Sequence, residues 1–116
     1  MKRYIAEIIG TFTMVFCGCG AMTVNEITGG AVTHPGVAIT WGLIVMAMIY
    51  AFGDISGAHF NPAVTVAFAY AKKFAWREVP KYIIATCFST DIGEYCACFK
   101  ISTFLFPFSM IDIVTG

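Results

Sequence analysis

The stretch SGAHFNPAVT, residues 56–65, puts a glycine, a histidine, an asparagine and a proline together inside an otherwise apolar chain. Asparagine is a preferred helix N-cap, because its side-chain oxygen can take an orphan backbone N–H. Proline suits the first helical position, where its missing N–H costs nothing. Asn61-Pro62 therefore predicts a helix start, and the run AVTVAFAYA behind it predicts a helix of about 10 residues. Such a helix is about 15 Å long. That is half of what crosses a bilayer.

Working outward, the surroundings read as lipid-embedded. Of 116 residues 59% are apolar and 12% charged, with seven basic and seven acidic side chains. Average soluble domains carry about 25% charged residues. No formal charge falls between Ile8 and Asn25, between Ile27 and Gly53, or between Ile55 and Ala71. Spans of membrane length are predicted near 5–27 and 36–53, the second able to borrow a residue at each end. Residues 28–36, TGGAVTHPG, read as a connecting loop. A third apolar stretch starts near Val79. The first span exceeds the 7–15 apolar residues of a signal peptide.

Basic residues fix the expected topology. Lys2 and Arg3 precede the first span, and Lys72, Lys73, Arg77 and Lys81 follow the short helix. Basic loops stay in the cytoplasm. The N-terminus is expected there, in a multi-pass protein of the cell membrane. The short helix must then leave on the side from which it entered. A re-entrant loop over 54–60 followed by a half-helix satisfies this. Non-helical backbone at membrane depth is tolerated beside a water-filled cavity or inside protein.

Within this frame Asn61 caps with its oxygen, and its N–H₂ can donate into a pore. The positive end of the half-helix lies at the same place, which disfavours cations. Glu7 is costly in lipid unless it faces protein or a cavity; it reads either as an acceptor for loop N–H groups or as a snorkelling side chain. His59 is a pore-wall donor, a support of the loop, or an interfacial histidine. Trp41 is an interfacial aromatic or a pore constriction. The five cysteines, Cys17, Cys19, Cys87, Cys96 and Cys98, read as small buried hydrophobes, and Cys17-Gly18-Cys19 is C-x-C, not C-x-x-C. No catalytic arrangement or metal-ligand set is present in the sequence. An enzyme, a cofactor and a nucleic-acid partner are not expected.

SGAHFNPAVT resembles the first NPA motif of the major intrinsic protein family, the aquaporins and glycerol facilitators. AEIIGTF at 6–12 is similar to the family's first-helix pattern. The likeness covers about residues 3–85 and is strongest to the nodulin-26-like branch. It implies an all-α membrane protein with an aquaporin-like half-channel: two spanning helices, a re-entrant loop and a half-helix. It assigns Asn61, Pro62 and Ala63 to the NPA signature, Glu7, His59 and Gly57 to loop support or pore lining, and Trp41 to the selectivity filter. It implies facilitated diffusion of water, glycerol or other small neutral solutes, metalloid acids among them, and a homotetramer when complete. Asp54 departs from the family pattern, where histidine or glycine is commoner. No second NPA occurs in the sequence, so the pore is expected to be incomplete. The alternative is a non-transporting fragment or a modulatory partner of a full channel. Residues 86–116, interrupted by Asp91, Glu94 and Lys100, are expected to form a divergent tail with an aberrant third helix. A frameshifted or truncated gene would look like this, as would an unusual lineage that tolerates the charges.

Overall fold

The computed structural model describes the backbone of residues 1–115 and the side chains of residues 1–98. Helix α1 runs Lys2–Ile27, α2 His34–Ser56, α3 Pro62–Tyr70 and α4 Val79–Thr115. The described residues contain no strand.

α1 has 26 residues, about 39 Å at 1.5 Å per residue. It ends where Thr28 N–H reaches Val24 O at 3.0 Å, and Gly29 and Gly30 follow with positive φ. Asn25 Oδ1 accepts from Thr33 N–H at 2.7 Å, which ties the turn to the helix end. α2 begins earlier than the loop read at 28–36 allows. Thr33 Oγ1 accepts from Gly36 N–H at 3.3 Å, and Pro35 lies in the first turn with its φ already helical. The helix also runs three residues past the expected break. Asp54, Ile55 and Ser56 stay helical, and the chain stops at Gly57, left-handed at φ 87°. The non-helical segment is thus 57–60, shorter than 54–60. A left-handed C′ residue is what ends the helix, and glycine supplies it without a Cβ clash.

α1 and α2 are long and apolar enough to cross a bilayer. On α2 only Ser56 is buried, while Ile39, Leu43, Met46 and Tyr50 are exposed. α4 packs chiefly along α1. Tyr4 and Tyr82 meet edge to face at 5.7 Å, and the Tyr4 hydroxyl bonds the Glu78 carboxylate. That bond, with Lys81 Nζ at 3.5 Å, holds the Glu78 carboxyl below its ordinary range. The two helices therefore start at one end and run parallel.

Their contact is a stripe of small residues. Ala85, Ser89, Gly93 and Ala97 recur every four residues, all buried. Val15 of α1 faces Gly93, and Thr11, one turn earlier, is fully buried. A Cβ on Gly93 would lie 3.1 Å from the Phe12 carbonyl oxygen and 3.2 Å from Val15 Cβ. In lipid, helices associate through such close backbone approach. Ser89 and Thr86 turn their hydroxyls back onto the carbonyls of Ala85 and Tyr82, so both are paired, whereas Thr11 Oγ1 on α1 is buried without a hydrogen-bond partner among the described residues. Asp91 and Glu94 do not break the helix. Both are exposed, off the packed stripe, so the backbone carries them without burying charge. The side chain of Lys100 lies outside the described residues.

Candidate functional site

The site starts from the strain in the loop. Ala58 and Phe60 have φ of 49° and 47°, a region that costs non-glycine residues about 1–3 kcal/mol each. Glu7 offsets this. Its Oε1 accepts from His59 N–H at 3.0 Å and its Oε2 from Phe60 N–H at 2.8 Å. The carboxylate is fully buried. Backbone donors that α2 and α3 leave behind are thus paired by a charge-assisted fork. The Phe60 ring fits against Gly10, where a Cβ would come within 2.2 Å of it.

Asn61 has extended dihedrals, φ −155° and ψ 130°. Its Oδ1 accepts from Ala63 N–H at 2.8 Å. Pro62 opens α3, nine residues long. The capping bond fixes the side chain and leaves the N–H₂ as its remaining polar group. Asn61 lines two adjoining grooves. One, of about 400 Å³, also takes Trp41, Ala58, His59, Phe60 and Val64. The other, of about 360 Å³, adds Pro62 together with Cys87, Thr90 and Asp91 of α4.

His59 is buried and held from four sides. Its Nδ1 is 3.1 Å from Thr65 Oγ1. Phe68 stacks on the ring at 4.9 Å, Phe74 meets it edge-on at 4.8 Å and Tyr82 lies at 5.1 Å. Gly57 abuts the same ring, a Cβ there falling 3.2 Å from His59 Nε2. Trp41 is half-buried, its indole lying on Gly18 of α1. Asn61 and Trp41 line both grooves, His59 the first and Pro62 the second, with Glu7 and Gly57 holding the loop beside them. Ala63 is exposed and contributes its backbone N–H to the cap.

Four contributors escape the sequence reading. Tyr82 donates its hydroxyl to Ser56 O at 2.9 Å, pinning the end of α2 to α4. Thr65 sets the His59 ring. Gly10 and Gly18 make room for Phe60 and Trp41. The four-residue spacing of Ala85, Ser89, Gly93 and Ala97 was the signal for the helix contact, and it continues beyond residue 85.

A half-helix capped by Asn-Pro, a loop braced by a buried glutamate and two apolar helices define one half of a channel fold. The family described as Major intrinsic protein matches residues 1–111. The chain belongs to that family, whose members are channels and not enzymes, and its relatives fall in the NIP branch. It is 59% identical to Aquaporin NIP1-1 of Oryza sativa subsp. japonica over 73% of this chain and 30% of the relative. It is 58% identical to Aquaporin NIP1-1 of Zea mays over 81% of this chain and 33% of the relative. With Putative aquaporin NIP4-1 of Arabidopsis thaliana it shares 60% identity over 71% of this chain and 29% of the relative. The chain thus spans about a third of the length of the curated relatives it matches.

Proposed function

We propose that residues 1–85 supply one half of a membrane channel for small neutral solutes: water, glycerol or solutes of similar size, metalloid acids included. The observation that carries this reading is Asn61, capped by its oxygen and lining a groove at the positive end of α3. Its N–H₂ donates to a hydroxyl or water oxygen, and the helix end repels cations. The N-terminus and the 72–81 basic segment are placed in the cytoplasm, and the protein in the cell membrane as a multi-pass chain. Residues 86–116 are kept as a separate, divergent segment. Homotetramers are expected once a complementary half is present.

The uncovered apolar face of α2 favours a second reading alongside: acting alone, the chain is a non-transporting partner that must pack against further helices. Proteoliposome swelling in water and in glycerol tests both. Swelling above empty liposomes, lost in Asn61→Asp, supports the channel. Swelling at the empty-liposome rate with inserted protein supports the partner reading.

Trp41 is proposed as a selectivity-filter residue. Its indole offers apolar surface to the CH groups of a polyol, with polar groups opposite to hold hydroxyls. In a swelling-competent assembly, Trp41→Phe is expected to shift the glycerol-to-water permeability ratio by about 10-fold, the lower end for a methylene-scale change in an apolar pocket, while ion rejection stays with Asn61 and α3. An unchanged ratio would remove Trp41 from the filter.

A further inference from the structure

The cysteines of two C-x-C stretches, Cys17-Gly18-Cys19 on α1 and Cys96-Ala97-Cys98 on α4, are not used by the site. The helix crossing brings Cys98 of α4 against Thr23 of α1, one turn beyond Cys19. Val15 packs on Gly93, and Cys19 and Thr23 follow Val15 at four-residue intervals on the same face of α1. The Thr23 hydroxyl donates to the Cys19 carbonyl at 2.9 Å. The same oxygen lies 3.8 Å from Cys98 Sγ. Thr23 Oγ1 thus bridges the Cys98 sulfur to the Cys19 peptide. Ala97, next to Cys98 in the chain, is fully buried. The Cys19 thiol is half-buried and Cys98 exposed.

We propose that Cys19 and Cys98 are an oxidisable dithiol that closes an α1–α4 disulfide when a small neutral disulfide reaches it. The Cys98 thiolate attacks the reagent, forming a mixed disulfide and expelling one reagent thiol. The Cys19 thiolate then attacks the Cys98 sulfur, forming the protein disulfide and expelling the second reagent thiol. Two protein thiols are oxidised and one reagent disulfide is reduced to two thiols. Exposure makes Cys98 the entry point, and closing the bond requires the two Cα atoms to come within about 7 Å, across the contact that Thr23 marks. The bridge would clamp α4 to α1 at the end opposite Glu78. It does not depend on transport.

The test uses the full chain in lipid nanodiscs with Cys17, Cys87 and Cys96 changed to serine, treated with 4,4′-dithiodipyridine. Expected are two released thiopyridones per chain and a peptide joining residues 19 and 98 under non-reducing mass spectrometry, both abolished by Cys98→Ser and reversed by reductant. In the unsubstituted chain the same linked peptide should dominate. Stable mixed adducts on each cysteine, with no joined peptide, would overturn the pairing. So would a dominant bridge between any other two cysteines in the unsubstituted chain.

Discussion

Glu7→Ala is expected to cost about 2–6 kcal/mol, because it leaves two buried backbone donors unpaired at about 1–3 kcal/mol each. The donors are His59 N–H and Phe60 N–H, at 3.0 and 2.8 Å from the carboxylate. Water cannot replace the acceptor cheaply, since Glu7 is fully buried. The loss is compounded by the left-handed dihedrals of Ala58 and Phe60, which persist only while the surroundings hold them. The loop is expected to relax, and the N-cap at Asn61 to lose its fixed entry direction. Glu7→Gln keeps one acceptor oxygen but turns an N–H₂ toward the other donor, so its effect should fall between alanine and the native residue. Hydrogen exchange of the two amides in nanodiscs reports the result directly. Protection should drop roughly tenfold or more in Glu7→Ala, a factor equivalent to about 1.4 kcal/mol. A change of less than about 0.5 kcal/mol, the range of substitutions that touch nothing, would show that the fork does not hold the loop.

The elements that a single local pattern specifies were legible from the residues. Asn61-Pro62 marked the start of α3, and the charge-free runs marked α1 and α2. What depends on pairing across the chain was less so. The sequence could not say which acceptor would serve the loop, because Glu7 and His59 are separated by most of α1 and all of α2. It left Glu7 open between bracing and snorkelling, and burial decides for the interior. The ends of α2 were misjudged for a related reason. The sequence predicts a re-entrant loop from residue 54, but a helix stops where a left-handed residue can be accommodated, and that is Gly57. Along α4, Asp91 and Glu94 drew notice as charges in a span. Their position off the Ala85–Ala97 stripe matters more than their charge, and that requires knowing which face meets α1. Trp41 illustrates the limit most clearly. Its place near the outer end of a predicted span suits lipid and pore equally, and in the fold it is half-buried with its indole over Gly18.

Gly18→Ala should separate those two environments by experiment. A Cβ on Gly18 would fall 2.2 Å from Trp41 Cε2, 2.3 Å from Cζ2 and 2.4 Å from Cδ2. Carbon atoms pack best at about 3.5–4.0 Å, so the ring must retreat by roughly 1 Å or more. The α1 backbone is held by its own hydrogen bonds and by the Gly93 crossing, whereas Trp41 is only half-buried. The indole is therefore the group that moves. Overpacking of this kind costs about 1–3 kcal/mol, and the displaced ring reshapes the groove it shares with Asn61. The chain has two tryptophans, so the measurement uses a Trp76→Phe background in bilayers containing brominated lipid. In the native chain Trp41 emission should be weakly quenched, because the ring lies in the cleft between α1 and α2. In Gly18→Ala quenching should rise as the ring is driven outward. Strong quenching already in the native chain, unchanged by the substitution, would place Trp41 against lipid and withdraw it from the groove beside Asn61.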